Sequence, residues 1–593
     1  MGIEEASEQY IIPDECTVGH DRIRKQLKII ADNRDGKSEN PEKVRKVETL
    51  IVIESDDEIE MKELPSTKVA STSGSGSVIP TKLANQISNP SEDKSRSLDP
   101  NHTVASQSVA DFFKERRKMF AAKDPKTMQA PSPSLTLSNE IPKVPQKLAI
   151  FFPLVLPRGR MAEKLRLAAP YNMFLTAVTK SPMTHQDPAF ITFLDLFDPS
   201  LGELESSVQI NFTISIDWLF AQYTVAGVNH LPLVILYGQE DEKLRNVNKI
   251  LPNIKSFMIK VPADYGCHHA KIMLLFYKDK SMRVVVSTAN LYHDDWDNRV
   301  QGLWVSEKLP KMPSNPTEGE SVTSFRSDLV DFLENYKNPT LQSHIDQVKS
   351  SDFRSVKVFL ITSIPGTHRG DAFGHHRLAK LLEKNSAPVD SKHPIIMQSS
   401  SLGNFGNSAA SYLTGEILQS FSQPLRSQDK AQINLIYPTM QNVRDSHDGI
   451  LGGGCLPYRQ SAQNRQLWLN QYLYQWKCES RFCNRAMPHI KSYFCYCDEG
   501  LYWFALTSHN MSKSAWGVKR ENKRNRESTL NINSYEAGVV FFPRIFLNQD
   551  TFPINEKQQR SSEAIFRLPF DVPPTPYTSN DTPFCIESLE AMM

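Results

Sequence analysis

Cysteine is scarce in this 593-residue chain, which contains eight. A small secreted scaffold held together by disulfides needs a much denser set, so that class is excluded. No stretch approaches the ~20 consecutive apolar residues of a membrane-spanning helix. The first residues, MGIEEASEQY, also lack the basic and apolar parts of a signal peptide. We therefore expect an intracellular protein without a membrane partner.

The sequence also carries almost no net charge, because 68 Lys and Arg residues are balanced by 67 Asp and Glu residues to give +1 at pH 7. This value does not by itself indicate a nucleic-acid partner, although a basic groove can exist locally because net charge averages over a long chain. The hydrophobic content of 39% and the charged content of 23% are typical of a soluble protein with a polar, disordered portion. A chain of this length has room for about two to four domains.

Half of the cysteines are clustered, and these are Cys478, Cys483, Cys495 and Cys497. Structural zinc sites usually have two close pairs of ligands, and gaps of four residues and one residue match that spacing poorly. We predict reduced thiols at these positions, with a zinc site as the less favoured alternative.

The first part of the chain, residues 1–145, is predicted to be a disordered regulatory region. It shows no sustained hydrophobic periodicity, and stretches such as STSGSGSVIPTK have the polar, Ser-rich and Pro-rich composition of disorder. From KLAIFFPLVL onward, apolar runs bounded by Pro, Gly and Asn recur to the end. The folded part is therefore expected to begin near Lys147.

Two short segments of this region carry possible partner motifs. Residues 50–60, LIVIESDDEIE, resemble a SUMO-interacting motif, in which aliphatic residues add a strand to a sheet edge and acids meet a basic patch. A chance aliphatic cluster is the alternative. Residues 106–120, SQSVADFFKERRKMF, resemble a degenerate sliding-clamp-binding box with Ser106 where glutamine is usual. A short amphipathic helix that docks on its own core is the favoured interpretation of that segment.

Two distant segments share one pattern. CHHAKIMLL at 267–275 and MPHIKSYFC at 487–495 each contain a His-x-Lys triplet, followed by an asparagine and a tryptophan at matching distances. The corresponding residues are all 220 positions apart, namely His269 and His489, Lys271 and Lys491, Asn290 and Asn510, and Trp296 and Trp516. A single His-x-Lys is normally a satisfied histidine at a core edge, whereas two copies with identical spacing indicate a duplicated functional motif.

Each copy also predicts a strand, a turn and a second strand, AKIMLLFY with MRVVVST and IKSYFCYC with LYWFALTS. A histidine and a lysine two residues apart on a strand lie on the same face. The simplest architecture is a pair of similar α/β domains, residues 146–345 and 346–593, related by a pseudo-two-fold axis. The two His/Lys/Asn sets would then meet at the domain interface, where sites are usually built.

Two lysines and two asparagines that converge on one point offer many donors, which suits a tetrahedral phosphate. Two histidines on opposite sides of it permit an in-line displacement at phosphorus, one acting as nucleophile and the other as general acid and then base. We expect no metal or other cofactor, because the lysines supply the positive charge that a magnesium ion would otherwise provide.

These motifs resemble those of the phospholipase D superfamily, whose usual motif has an aspartate after His-x-Lys. Phe276 and Tyr496 stand at the aspartate positions, a departure typical of the tyrosyl-DNA phosphodiesterase family, which YGCHHAKIMLLFY, TANLYHDDW, MPHIKSYF and NSYEAGVVFFP also resemble. The similarity covers nearly all of residues 165–585. It implies two similar α/β/α sandwich domains with mixed sheets, preceded by the disordered N-terminal region, and argues against an ordinary phospholipase.

The resemblance implies a role for each repeated residue. His269 would attack the phosphorus and form a covalent phosphohistidine, while His489 would serve as general acid and then as base. The phosphoryl oxygens would be held by Lys271, Lys491, Asn290 and Asn510.

The family replaces the missing aspartates with later polar residues, here Gln301 and Glu536. Each would accept a hydrogen bond from a histidine N–H and fix its tautomer. Which acceptor serves which histidine stays open, although a carboxylate favours imidazolium more than an amide does and could separate the two roles. His268 would face away from His269 on a strand, so we interpret it as structural.

In this family the scissile bond joins a DNA 3′-phosphate to a topoisomerase I tyrosine, and other 3′ adducts are expected as substrates. The resemblance therefore implies that the partners are DNA with blocked 3′ ends and a topoisomerase I peptide. It also implies a monomeric protein in the nucleus, with the cytoplasm as a further location. DNA binding, single-stranded and double-stranded, would rely on backbone contacts and stacking, because a repair enzyme must accept any sequence.

Residues for DNA contact are implied by further matches to the family. Ser400 and Ser401 in QSSSLGNFG match phosphate-contacting serines, and Tyr265 matches an aromatic residue that stacks on a base. A mere turn at SSSLGNFG is an equal alternative.

The sequence departs from the family pattern at two places. Cys455 stands where the family has serine. The C-terminal aromatic segment that is expected in relatives is not recognisable.

Two competing interpretations remain. A phospholipase or a nuclease, including an exonuclease, could use the same doubled motif, although the aspartates and a membrane-binding stretch are both missing. A catalytically inactive binding scaffold is disfavoured, because both histidines, both lysines and both asparagines are present.

Overall fold

The apolar runs of the second part of the chain become the strands of two large sheets. The computed structural model describes residues 159–590, except 263–265, 314–317, 425–430, 522–527 and 561. The predicted disordered region, the motifs at 50–60 and 106–120 and the residue Tyr265 therefore lie outside the described residues. All the described residues belong to one compact unit.

The first half of this unit contributes nine strands, of which β6 and β7 are completely buried. They are β1 (Met173–Thr176), β2 (Phe190–Ile191), β3 (Leu204–Asn211), β4 (Leu233–Tyr237), β5 (Ile254–Met258), β6 (Ile272–Tyr277), β7 (Met282–Ser287), β8 (Arg299–Val300) and β9 (Gly302–Val305).

The second half contributes eleven strands, of which β16 and β17 form the central hairpin. They are β10 (Phe359–Ser363), β11 (Gly366–His368), β12 (Ile395–Gln398), β13 (Ile433–Ile436), β14 (Leu473–Tyr474), β15 (Met487–Pro488), β16 (Ser492–Cys497), β17 (Gly500–Thr507), β18 (Val518–Glu521), β19 (Ser528–Ile532) and β20 (Glu536–Phe541).

The two large sheets share one strand order, apart from the additional edge strand β2 of the first. The first runs β2-β1-β9-β7-β6-β3-β4-β5 and the second runs β10-β20-β17-β16-β12-β13-β14. In both, a run of antiparallel pairs is followed by two parallel pairs, β3–β4–β5 in the first sheet and β12–β13–β14 in the second. The sheets are therefore mixed, and the predicted duplication is visible in their topology.

The helices are mostly short. They are α1 (Met161–Ala168), α2 (Ile216–Ala226), α3 (Glu242–Ile250), α4 (His293–Asp297), α5 (Phe325–Glu334), α6 (Gln342–Lys349), α7 (Gly374–Asn385), α8 (Leu418–Phe421), α9 (Met440–Arg444), α10 (Gln460–Arg465), α11 (Lys513–Trp516), α12 (Pro543–Phe546) and α13 (Glu587–Glu590). Within the described ranges, none of them is both long and apolar enough to span a bilayer.

Two details refine the sequence interpretation. The domain boundary predicted between residues 345 and 346 falls inside α6. The exact position of the boundary stays a prediction. The His-x-Lys triplets were expected on strands, but β6 begins at Ile272 and β16 at Ser492, so each triplet lies immediately before its strand. Main-chain bonds from Ser287 N–H to the Lys271 carbonyl (3.0 Å) and from Thr507 N–H to the Lys491 carbonyl (3.1 Å) still align the triplets with the sheets.

The two halves are joined by main-chain contacts close to both triplets. β8 pairs in parallel with β15, which places Val300 opposite Pro488. Beside this junction, a Cβ atom added at Gly302 would lie 2.5 Å from Cδ1 of Leu506 and 2.7 Å from Cδ1 of Ile490. A side chain at Gly302 would therefore have to displace the ends of the Leu506 and Ile490 side chains, so the two halves pack closely at this glycine.

Candidate active site

Each predicted catalytic histidine is anchored by the main chain of the opposite half. The N–H of His269 donates to the carbonyl of Tyr535 at 2.8 Å, and the N–H of His489 donates to the carbonyl of Val300 at 3.0 Å. Both histidines are buried, with 5% and 7% of their surfaces exposed. The site is thus built across the junction of the halves, as the repeat predicts.

The imidazoles follow the same crossed arrangement. Nδ1 of His269 lies 2.9 Å from Oε2 of Glu536, and Nδ1 of His489 lies 2.9 Å from Nε2 of Gln301. This pairs the two orienting residues with their histidines, which the sequence left open, with Glu536 serving His269 and Gln301 serving His489. With Nδ1 engaged, Nε2 is the ring nitrogen left for chemistry on each histidine.

Gln301 and Glu536 are each held by a hydroxyl group, which belongs to the residue two positions before Asn290 or Asn510. Sequence reasoning missed both hydroxyl residues. The Thr288 hydroxyl lies 2.8 Å from Oε1 of Gln301, while the Ser508 hydroxyl donates to Oε2 of Glu536. The same hydroxyls accept the N–H groups of Gly302 and Ala537, each at 3.0 Å. Because Thr288 and Ser508 are themselves 220 positions apart, extending the repeat comparison to hydroxyl residues would have found them.

Asp295 is a further site residue that sequence reasoning missed. Its Oδ2 lies 3.1 Å from Nδ1 of His489 and accepts the N–H of Asn290 at 2.7 Å. The corresponding position of the second copy is Ala515, so a search for matching landmarks passes over it. The available signal was an acidic residue between Asn290 and Trp296, in TANLYHDDW.

The two lysines are completely buried and similarly held. Each Nζ donates to the carbonyl of the histidine of its own triplet at 2.8 Å. Burial and the neighbouring charge of Lys271 lower the pKa of Lys491 to about 7. A phosphate between the lysines would relieve this repulsion, so the arrangement of the pair suits an anion.

Burial disfavours the charged form of both histidines in the free site. Burial, followed by the charges of Lys271 and Lys491, lowers the pKa of His269 well below its ordinary value. Burial lowers the pKa of His489 to about 4, although Asp295 opposes the change. Burial also raises the pKa of Glu536.

Asn510 is oriented by the serine-rich turn that follows β12. Its Oδ1 accepts from the hydroxyls of Ser399 (3.1 Å) and Ser400 (3.2 Å) and from the N–H of Ser401 (3.1 Å). The amide nitrogen is therefore the group left to meet a phosphoryl oxygen. Both Ser400 and Ser401 are buried. Their contact with DNA stays a prediction.

His268 points away from the catalytic pair. Its Nδ1 lies 3.2 Å from the carbonyl of Asn211, and its Nε2 lies 2.8 Å from the hydroxyl of Tyr336. Both ring nitrogens are engaged, as a structural role requires.

The clustered cysteines are free and buried. In the described ranges, no set of three or more His, Cys, Asp or Glu residues has an arrangement that could hold a metal ion. Cys455 is also buried, with Sγ 3.6 Å from the carbonyl of Gly452, and burial raises the pKa of its thiol to about 12. A buried thiol therefore occupies the position where serine was expected.

A duplicated mixed-sheet fold with His/Lys/Asn sets from both halves defines a phospholipase D-like protein. The family model for tyrosyl-DNA phosphodiesterase matches residues 172–578. Tyrosyl-DNA phosphodiesterase 1 of Drosophila melanogaster is 46% identical over 453 residues, covering 74% of this chain and 78% of the relative. The Arabidopsis thaliana protein of the same name is 30% identical, covering 73% and 80%. This chain belongs to the tyrosyl-DNA phosphodiesterase family.

The fold is also that of a solved relative. The crystal structure of yeast tyrosyl-DNA phosphodiesterase superposes with a TM-score of 0.53 at 20% identity, covering 70% of this chain and 99% of the yeast chain. The predicted family and fold class are both confirmed.

Proposed function

We propose that this chain hydrolyses the bond between a DNA 3′-phosphate and a topoisomerase I tyrosine, and thereby repairs blocked DNA ends. The observation that carries the proposal is the crossed site, in which each half supplies one histidine, one lysine and the residue that orients the other histidine. Membership of the tyrosyl-DNA phosphodiesterase family supports the choice of substrate.

In the first step, the Nε2 lone pair of His269 attacks the phosphorus and the bond from phosphorus to the tyrosine oxygen breaks. His489 takes part as an imidazolium, whose charge the bound phosphodiester and Asp295 stabilise, and the phenolate oxygen takes its Nε2 proton. Because a phenol has a pKa of about 10, it leaves more readily than an alcohol, so acid assistance in this step matters less than base assistance does in the following step.

In the second step, water attacks the phosphorus and loses its proton to Nε2 of His489. The bond from phosphorus to His269 breaks, which releases a DNA 3′-phosphate and restores the nucleophile. His489 is again an imidazolium and is ready to act as an acid.

The buried cations carry the electrostatic part of the reaction. Lys271 and Lys491 face a phosphodiester that gains equatorial charge in the transition state, while the amides of Asn290 and Asn510 add donors. These groups are already desolvated, so they need no reorganisation when the charge develops.

Recognition of DNA follows from the need to accept any sequence. We expect Ser400 and Ser401 to contact backbone phosphate and Tyr265 to stack on a base, with both single-stranded and double-stranded ends accepted. Attack by the same histidine on the phosphorus that links a 3′-terminal nucleoside would break the bond from phosphorus to the 5′ oxygen of that nucleoside and release it, which would give exonuclease activity.

The remaining partner assignments are proposals that rest on sequence. They are SUMO binding through residues 50–60, the weaker sliding-clamp motif at residues 106–120, a nuclear location and a monomeric state. SUMO titration of the full chain and of an Ile51→Ala, Val52→Ala variant tests the first of these.

The function is tested with an oligonucleotide that carries a 3′-phosphotyrosine, in the presence of EDTA. We expect release of tyrosine and a 3′-phosphate by the wild type and no release by His269→Ala. Inactivity of the wild type on this substrate, combined with hydrolysis of phosphatidylcholine, would instead favour the phospholipase interpretation.

A further inference from the structure

The assignment of orienting residues raises a problem for the two-step mechanism. A carboxylate favours an imidazolium more than an amide does. Glu536 serves the proposed nucleophile, which must be neutral, and Gln301 serves His489, which must carry a proton. With these two acceptors alone, the chemical roles of the histidines would be reversed.

The structure contains a second carboxylate at His489. Asp295 is completely buried, and its Oδ2 lies 3.1 Å from Nδ1 of His489. The N–H of Asn290 donates to the same oxygen at 2.7 Å, so the turn that presents a phosphate-binding asparagine also fixes this carboxylate. No corresponding acid is encoded in the second copy, where Ala515 occupies the equivalent position.

The contact with Asp295 selects the tautomer of His489. An ionised carboxylate can only accept, so Nδ1 must carry the proton and Nε2 faces the reaction. The amide of Gln301 then has to present oxygen to Nδ1, and a half-turn of the amide achieves this. Its nitrogen then donates to the Thr288 hydroxyl 2.8 Å away, because a hydroxyl can accept as readily as donate.

The pKa values of the two carboxyl groups are shifted in the directions that the two roles require. Burial raises the pKa of Asp295, but His489, the N–H of Asn290 and Lys491 outweigh it and bring the pKa down to about 2. Burial instead leaves the pKa of Glu536 raised. His489 therefore faces a full negative charge, whereas His269 faces a carboxyl group that is more easily neutralised.

We propose that Asp295 is the positioning residue that makes His489 the proton carrier of the reaction. The inference rests on the two-step mechanism proposed above. When Nε2 of His489 takes a proton from the attacking water, Asp295 stabilises the imidazolium through Nδ1–H. Gln301 fixes the plane of the ring, and Asp295 supplies the charge.

The test is a rapid-quench experiment on Asp295→Asn with the 3′-phosphotyrosyl oligonucleotide, in which tyrosine release and decay of the DNA–His269 adduct are followed separately. We expect decay to slow by about 100-fold or more, because it depends on the general base, and tyrosine release to slow by about 10-fold or less. The acid limb of the decay rate should move to lower pH, because the imidazolium loses its counter-charge.

Asp297→Asn is the matched control, because Asp297 ends the same helix α4 and its carboxylate pairs with His293, at 3.4 Å, instead of His489. It should leave the acid limb in place. Equal slowing of both steps in Asp295→Asn with an unmoved limb would reduce Asp295 to a structural residue. Absence of any adduct in the wild type would overturn the mechanism itself, and this outcome is visible without the variant.

A measurement on the wild type covers the case in which Asp295→Asn does not fold. The ¹⁵N spectrum of labelled histidine in the full chain, assigned by comparison with His489→Ala, should show His489 protonated at Nδ1. Protonation at Nε2 alone would contradict the proposal.

Discussion

The loops that follow β3 and β12 occupy equivalent places in the two halves but carry different chemistry. Ile214 forms a parallel bridge with Leu291, and Leu402 forms the same bridge with Met511, which makes Phe212 and Ser400 counterparts. The Phe212 ring lies against His269, 5.4 Å between centroids, and 5.7 Å from Nζ of Lys271. The Ser400 hydroxyl instead holds Asn510.

This comparison extends to the histidines themselves. The proposed nucleophile, His269, contacts an apolar ring and a carboxyl group of raised pKa, whereas the proposed proton carrier, His489, contacts an amide and a carboxylate of lowered pKa. Duplication thus provides the crossed frame, and a few unequal residues separate the chemical roles. The following predictions test that division, starting with the largest effect.

Replacing the histidines should give unequal defects. His269→Ala is expected to lower turnover by at least about 10³-fold, because no covalent adduct can form. His489→Ala should retain some tyrosine release and accumulate the DNA adduct, because the phenol leaves without full acid assistance. Single-turnover kinetics on the 3′-phosphotyrosyl oligonucleotide separate the two steps. An equal loss of both steps in both variants would show that the two histidines do not have different roles.

Lys491→Met should lower kcat/KM by about 100-fold, because one of two desolvated cations is removed from the transition state. The wild-type kcat/KM is expected to fall as pH rises through about 7, where Lys491 loses its proton in the free site. Bound phosphate raises that pKa, so kcat should fall only at higher pH. Persistence of the same basic limb in Lys491→Met would assign it to another group.

The hydroxyl holders should affect one step each. Ser508→Ala releases Glu536 and should slow adduct formation on His269 by about 10-fold. Thr288→Ala releases Gln301 and should slow decay of the adduct by a similar factor. Rapid-quench data on both variants test this, and the opposite pairing of residue and step would exchange the roles of the halves.

The smallest effect on catalysis is expected from the ion pair that joins the halves beside His489. Arg299 is almost completely buried, and it contacts Asp448 at 2.6 Å and Asp294 at 2.7 Å. Asp448→Asn should lower the free energy of unfolding by about 3 kcal/mol, because it leaves buried positive charge less compensated, and should change kcat only a few-fold. Thermal denaturation measures the first effect, with exposed Asp550→Asn as control.

The duplication could be predicted from the sequence, because identical spacing of His, Lys, Asn and Trp in two segments is a stronger signal than any single motif. The same reasoning could not pair Gln301 and Glu536 with their histidines, because the pairing crosses the halves and depends on how the β8–β15 junction brings them together. Asp295 was not predicted because the second copy has no matching acid. Its contact with His489 depends on the fold, which places the turn that carries Asn290 and Asp295 beside His489.

The central claim, that the first histidine is the nucleophile and the second the proton carrier, is tested most directly by trapping the intermediate. His489→Ala would be quenched during reaction with the 3′-phosphotyrosyl oligonucleotide, and the modified residue located by mass spectrometry. We expect DNA attached through its 3′-phosphate to His269. Attachment to any other residue, or release of tyrosine without an adduct, would contradict it.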